Sequence, residues 1–448
     1  MGKDSKKISR REFLHEAASA AAAFTIVPRC ALAAGVTPPS DKLNIACIGV
    51  GGRGGANLKG VSRENIVALC DVDMRRAGGA FKKYPKAKHY RDFRKMLDEM
   101  GNQIDAVAVS TPDHTHAVAC MAAMKRGKHV YCEKPLAHSI YEIRQLVNTA
   151  RKHKVVTQLG NQGHSSNDIR KFCEWIWDGA IGNVHEIHAA SGAVHCTIEQ
   201  LPRLKEKHEV PSELDWDLGA TAPRYRPYHP MYLPGSWRAW MPFGSGAIGD
   251  WVCHVLDPVF WALDLGAPAT VQAQAKGYDP KKHADTFPRG TVVRFEFPAR
   301  GKRGAVTLIW HDGVEKLPRP KELEPGRNVP GTGAIVTGDK GKIMYGSHGA
   351  GGVRIFPDTK MKAYKQPPRT LPRVRGHHHD WLQAIKNGTQ PGSNFNYGGP
   401  LTELALLGIV ATKMLGRKLE WDSRNMRFTN CDEANQFVNP PYRKGWTL

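Results

Sequence analysis

The sequence predicts an α/β fold in two parts: an N-terminal parallel sheet with helices on both faces, then an α+β region with an open, largely antiparallel sheet. Three observations predict it. Strand and helix signals alternate from Leu43 to Leu159, a glycine cluster stands between the first apolar run and the first helix, and from Ala269 onward short strand-like runs follow one another without helices. At 448 residues, 41% hydrophobic and 24% charged, the chain can bury the cores of two or three domains, which excludes disordered and collagen-like classes.

Residues 1–34 are read as a targeting segment. Ser9-Arg10-Arg11-Glu12-Phe13-Leu14 is a twin-arginine pattern, the small apolar run Ala17 to Val27 follows, and Ala31-Leu32-Ala33 offers a cleavage site. The mature chain is therefore expected to be exported already folded and to be periplasmic. Cys30 follows Pro28-Arg29, which does not read as a lipoprotein site, and no other run approaches the roughly 18 apolar residues of a membrane span.

The first domain is expected over 41–163. An apolar strand from Leu43 to Val50 runs into Gly49, Gly51, Gly52, Arg53 and Gly54, where Gly49, Gly51 and Gly54 satisfy G-x-G-x-x-G. In a strand–turn–helix setting that pattern permits a tight turn and close backbone approach to a pyrophosphate, and the helix starting near Arg53 points free N–H groups at it. The second strand, Asn65 to Cys70, ends on Asp71, 22 residues beyond Gly49, where an acid takes the ribose hydroxyls. This is the fingerprint of a Rossmann NAD(P)-binding domain. NAD is favoured, while Arg53, Arg75 and Arg76 leave NADP open.

Helices are predicted at Arg75–Tyr84, Phe93–Met100, Thr115–Arg126 and Ile140–His153, alternating with strands near His89 and at Ala106–Ser110, His129–Cys132 and Val155–Leu159. Ligands of such sheets bind beyond the carboxyl ends of the strands. That rule selects Ser110-Thr111-Pro112 through His116, Glu133-Lys134-Pro135, and Asn161-Gln162-Gly163-His164. Lys134 should project at the nicotinamide end of the cleft, with Pro135 fixing its turn, where a cis or a trans bond before the proline is open.

The second domain is expected over 164–448. It starts with a helix, Ile169–Asp178, and a strand, Val184–Ser191, followed by a loop from Gln200 to Gly246 rich in Pro, Trp, Tyr and Arg. A helix is predicted at Ala247–Leu265, strands at Ala269–Lys276, Gly290–Phe297 and Ala305–His311, and a hairpin turning at Asp339-Lys340. Helices at His379–Lys386 and Leu401–Leu415 follow a Pro-rich passage. In the long loop, Tyr225, Tyr228, His229, Trp237, Arg238 and Trp240 offer flat faces and donors suited to a sugar ring, or equally a Pro-pinned packing loop.

Asp250 and His254 stand four residues apart, hence on one helical face where they can meet, and a histidine beside a carboxylate suits general-base work. Together the glycine loop, Thr111-Pro112 with His116, Glu133-Lys134-Pro135 and Asp250-x-x-x-His254 resemble the Gfo/Idh/MocA oxidoreductase family over nearly the whole mature chain. The stretches Tyr397 to Pro400 and Lys418 to Asp422 resemble its exported bacterial branch.

The resemblance implies hydride transfer between nicotinamide and a sugar or polyol carbon. In it His254 takes the hydroxyl proton, Lys134 hydrogen-bonds that oxygen, and Asp250 orients the substrate or the imidazole. Glu133, His116 and Asn161 are expected to border the cofactor, and Gln162, His164, Tyr228, Trp237 and Arg238 the sugar.

Outside the cytoplasm free NAD is scarce, so the cofactor is expected to stay bound and be recycled in place. This opens an alternative, an NAD-dependent glycoside hydrolase working by oxidation and elimination, whose extra base would come from His164, His195, Tyr228 or His229. A second alternative, a non-catalytic nucleotide-binding sensor, is opposed by the intact Lys134, Asp250 and His254.

The formal charge of +22 comes from Lys and Arg scattered along the chain with no nucleic-acid-binding motif, so nucleic acid is not an expected partner and anionic sugars are favoured. Cys47, Cys70 and Cys132 read as buried small hydrophobes, and neither bridges nor zinc are assigned. His377-His378-His379 reads as surface histidines before a helix, so no metal is expected. A homo-oligomer, dimer or tetramer, is expected on the family resemblance alone.

Overall fold

Six short runs form the first sheet; the central ones are apolar because residues covered on both faces need no polar alternation, while the edge strand Lys88–Tyr90 is polar and largely exposed. They are β1 (Asn44–Ile48), β2 (Asn65–Cys70), β3 (Lys88–Tyr90), β4 (Ala106–Val109), β5 (His129–Cys132) and β6 (Thr157–Leu159). They are wholly parallel, in the order β3-β2-β1-β4-β5-β6. The order reverses at β1/β4, which opens a crevice beyond their carboxyl ends. The computed structural model describes residues 41–220 and 226–448, so the expected targeting segment 1–34 and Tyr225 lie outside the described residues.

The connecting helices start where side chains satisfy their free N–H groups. Before α1 (Arg53–Gly60) no side chain caps the helix, and the Gly54 and Gly55 N–H groups donate instead to the Gly51 and Gly52 carbonyls at 2.9 and 3.1 Å. Asp73 and Asp92 cap α2 (Met74–Lys83) and α3 (Phe93–Met100), and α4 (Asp113–Lys125) follows Pro112. A Ser139/Glu142 capping box starts α5 (Ile140–Lys152). The bond before Pro135 is cis.

Beyond α6 (Asn167–Trp177), strand β7 (Val184–Ser191) lies inside the second sheet. The expected single helix at 247–265 is two, α7 (Gly246–Val255) and α8 (Asp257–Ala262). Pro258 lacks the N–H that would continue the first helix, and it starts the second instead. The remaining strands are β8 (Thr270–Gln274), β9 (Val292–Phe297), β10 (Val306–Asp312), β11 (Gly333–Gly338), β12 (Gly341–Gly346), β13 (Arg354–Phe356), β14 (Leu419–Asp422) and β15 (Arg427–Phe428).

Their order is β13-β12-β11-β7-β10-β9-β8-β14-β15, antiparallel except where β7 pairs with β10. One face packs on α7 and on α10 (Phe395–Lys413) through Ile248, Phe295, Leu404 and Leu407. Asn394 caps α10, so it starts well before the expected Leu401 and carries Pro400 inside it.

The helix expected at His379 begins at His377 (α9, His377–Asn387), and this corrects the surface reading for His377 and His378, while His379 is exposed. His377 is buried, its Nε2 donating to the Leu159 carbonyl at 2.7 Å, and His378 stacks on Tyr131. The eight described cysteines are unpaired. Among the described residues no helix is long and apolar enough to cross a membrane.

Candidate active site

The cleft opens at the carboxyl ends of β1, β2, β4 and β5, where Gly49, Gly51, Gly52, Arg53, Asp71, Ser110, Thr111, Pro112, Glu133 and Lys134 line one continuous wall. Two glycines are sterically required. Gly49 has φ +76, and a Cβ there would meet the Ser110 backbone at 2.8 Å; a Cβ on Gly54 would lie 2.0 Å from the Gly49 carbonyl oxygen. The helix therefore packs directly on the turn.

Asp71 has both carboxylate oxygens engaged: one accepts from Val50 N–H at 2.9 Å, the other from Asp73 N–H at 3.0 Å. Burial nevertheless holds its carboxyl above the ordinary value, opposed by those amides. Arg76 lies against Gly51 and Gly52 and lines the same wall.

Glu133 is a hub, its Oε1 accepting from Arg53 Nε at 3.0 Å and from Asn57 and Gln162 side chains at 2.9 Å each. The next residue, Lys134, lines the same cleft. Its Nζ donates to the Asp250 side chain and, at 2.8 Å, to the Asp250 carbonyl. Asp250 also accepts from Arg238 Nε at 3.0 Å and from His195 Nε2 at 3.1 Å. Burial alone would raise the Asp250 carboxyl, but Lys134, His195 and Arg238 hold it well below the usual carboxylate range.

The Asp250 side chain thus turns to Lys134, Arg238 and His195, and no hydrogen bond joins it to His254, one helical turn on. His254 instead stacks on His348, with ring centroids 4.3 Å apart, and its Nδ1 is buried without a partner. Burial, then the charges of Lys134 and the neighbouring His348, push its imidazole well below the ordinary histidine value. His254 is accordingly neutral at neutral pH, with a lone pair able to take a proton.

Several expected cofactor and substrate residues lie behind the wall. Both ring nitrogens of His116 meet carbonyls, Pro135 O at 2.7 Å and Thr111 O at 2.8 Å, so it braces two cleft loops from below. Asn161 is fully buried between Asp257 (3.0 Å) and Ser393 (2.5 Å), and His164 Nδ1 meets Asp257 at 2.9 Å. Gln162 is spent on Tyr131 and Glu133.

Tyr228 packs on Trp216 in an aromatic cluster, and His229 caps the turn at Pro230. The physical reason is shared: each has its polar groups or its ring already engaged by protein neighbours. Trp237 and Arg238 do line it, Arg238 lying 4.4 Å from the Trp237 ring centroid.

The opposite wall was not anticipated. Residues 213–215 run antiparallel to residues 72–74, just beyond β2, with Met74 N–H donating to Glu213 O at 3.1 Å and Asp215 N–H to Val72 O at 2.9 Å. This strap brings Leu214, Trp216, Leu218 and Gly219 over the cleft, and Trp446 closes the same side. His114 pins it, meeting Gly219 O at 2.9 Å and Phe243 O at 3.1 Å. The only sequence signal was the apolar pair in Leu214-Asp215-Trp216, too short to read as a strand.

Comparisons with known proteins agree with this geometry. Residues 43–161 match the model of an oxidoreductase family with an NAD-binding Rossmann fold, and residues 201–448 match that family's C-terminal α/β domain. A glycosyl hydrolase family 109 protein of Shewanella pealeana is 23% identical over 80% of this chain and 76% of its own length. A myo-inositol 2-dehydrogenase of Thermotoga maritima is 28% identical over 33% of this chain, which spans only 45% of that relative. Among solved structures, the aldose-aldose oxidoreductase of Caulobacter crescentus complexed with glycerol has TM-score 0.59 at 16% identity, covering 85% of this chain and 99% of that one.

Proposed function

Because the chain belongs to the Gfo/Idh/MocA oxidoreductase family and binds NAD, we propose that it moves a hydride between tightly held NAD and a hydroxyl or keto carbon of a sugar, polyol or glycoside. The observation that carries this reading is the Lys134–Asp250 contact at the carboxyl end of β5, with a neutral His254 one helical turn away. NAD, when bound, supplies the hydride acceptor or donor. The glycine turn leaves no room for side chains where the pyrophosphate approaches, which fits that group.

The protein's own residues do the rest. Lys134 donates a hydrogen bond to the substrate oxygen and favours its negative charge as the proton leaves. His254 takes that proton. Asp250, kept anionic, aims the ammonium, and Arg238 and His195 hold Asp250 in turn. The sugar class is supported by the relatives, which include an inositol dehydrogenase and an aldose-aldose oxidoreductase, and by Trp237 and Arg238 on the cleft wall. The strap of residues 213–219 supports retention of the nucleotide between turnovers.

A second reading is redox-assisted glycoside hydrolysis. The Shewanella relative favours it, and among the expected extra bases only His195 reaches the Lys134–Asp250 pair. We further propose twin-arginine export of the mature chain to the periplasm and assembly as a homo-oligomer.

The test is to release and identify nucleotide from the purified protein, then follow reduced-nicotinamide absorbance as sugars and aryl glycosides are added. Net reduction without aglycone release supports the oxidoreductase. Aglycone release without net reduction, abolished by Lys134→Ala, moves the hydrolase to first place, and protein that neither carries nor takes up NAD sinks both.

A further inference from the structure

Away from the cleft, Glu206, His208 and His229 bring one carboxylate oxygen and two imidazole nitrogens within 4.8 Å of one another. Glu206 Oε2 lies 3.4 Å from His208 Nε2 and 3.9 Å from His229 Nε2, and the two rings stand nearly perpendicular with centroids 4.5 Å apart. Ligand atoms at Zn–N and Zn–O lengths of about 2.0–2.1 Å in a tetrahedron are about 3.3–3.4 Å apart. The two distances from the carboxylate oxygen are already close to that spacing, and the two imidazole nitrogens lie within 4.8 Å of each other. We propose that Glu206, His208 and His229 form a binding site for a divalent transition ion of the zinc class.

The donor set selects the ion. Two imidazoles with one carboxylate suit Zn²⁺, Co²⁺ or Ni²⁺, whereas Ca²⁺ and Mg²⁺ want oxygen throughout. Three protein ligands leave a fourth position for water. His229 is buried, Glu206 and His208 exposed, so the ion enters from solvent and seats against the inner ring. The arrangement was not legible in the sequence, because one ligand lies 21 positions beyond the other pair and folds back on it.

Binding has a structural consequence. His229 Nδ1 accepts from Met231 N–H at 3.2 Å, and its Nε2 lies 3.2 Å from the Arg203 carbonyl. A metal on Nε2 moves the ring proton to Nδ1, so the Met231 amide must give up this bond. That amide opens the turn Pro230–Tyr232, which runs directly into the cleft-wall residues Tyr232, Leu233, Pro234 and Gly235. Ion occupancy therefore reaches the cap over the cleft without any ligand touching the reacting groups.

The test uses untagged full-length protein stripped with EDTA and titrated with ZnCl2 by calorimetry, with CoCl2 followed by visible absorption as a second readout. We expect one saturable equivalent, a four-coordinate Co²⁺ spectrum, and at least tenfold weaker binding in both His208→Ala and Glu206→Gln. Those two residues are exposed, and matching thermal unfolding of the stripped variants and wild type shows that both remain folded. His311→Ala, which alters the separate His188–His311 pair, should bind like wild type. No saturable binding, or binding left unchanged by His208→Ala and Glu206→Gln, would overturn the proposal.

Discussion

Asp250→Asn is the sharpest probe of the site, because one carboxylate organises three donors. Its side chain is 15% exposed and that of Lys134 11%, so the pair is buried, whereas Arg238 is 36% exposed and is partly served by water. Removing one partner of a buried ion pair costs about 3–5 kcal/mol, and the exposure of Arg238 sets the expected loss near the lower end, about 3 kcal/mol. At about 2.1 cal/mol/K of unfolding entropy per residue, a unit of this size shifts by roughly 1.2 °C per kcal/mol, so Tm should fall by about 4 °C.

The chemical step should suffer more. With Lys134 no longer aimed, the rate should drop about 100-fold, equivalent to about 2.7 kcal/mol of transition-state stabilisation. The assay is single-turnover reduction of the bound nucleotide by stopped flow, with the sugar that reduces wild-type enzyme fastest, beside thermal unfolding of the same samples. A variant that keeps its rate within threefold while losing stability would show that Asp250 only holds the fold, and the catalytic reading would fail.

Other perturbations reach different parts of the argument. Gly54→Ala places a methyl on the Gly49 carbonyl, so nucleotide should be absent from the purified variant by mass spectrometry; wild-type nucleotide content would contradict the steric account. Trp216→Ala thins the strap, and bound nucleotide should dissociate at least tenfold faster in a dilution-and-filtration assay, with no change counting against retention by the strap.

His114 and His377, fully buried and pushed down to about 4 and about 3, bind protons in the unfolded chain before the folded one. Stability is thus complete above about pH 6.5 and declines as pH falls towards those values, by about 1.4 kcal/mol per pH unit for each residue. His377→Gln should flatten the fall of Tm between pH 6.5 and 4.5, and an unaltered slope would refute its share. A neutral His254 should keep kcat/KM level well below pH 6.5, where an ordinary histidine base would already be losing activity.

Much of this was legible because local rules govern it. The strand-end rule picked out Glu133-Lys134-Pro135, the G-x-G-x-x-G spacing picked out the glycine turn, and the hairpin at Asp339-Lys340 formed where expected. What escaped depended on distant partners. Asp250 and His254 share a helical face, yet the carboxylate turns to Lys134, Arg238 and His195, which arrive from other segments. His164 and Asn161 carry polar groups suited to a sugar, but Asp257 claims both from inside the protein. The parallel β7–β10 pairing joins residues more than a hundred positions apart and leaves no local signature. Strands β13, β14 and β15 are too short for periodicity to show.

The nucleotide cleft also sets a schedule. Its floor is made from residues near 50 and 133, but its roof needs Leu214 and Trp216, and its side needs Trp446. A ribosome delivers these in order, so the glycine turn can fold long before anything covers it. A nucleotide that settles on the early floor can leave again until residue 446 has been synthesised and packed. If the cofactor is retained as proposed, its lasting capture waits for Leu214, Trp216 and Trp446 to be in place, and starving cells of NAD during synthesis should matter less than starving them just after it.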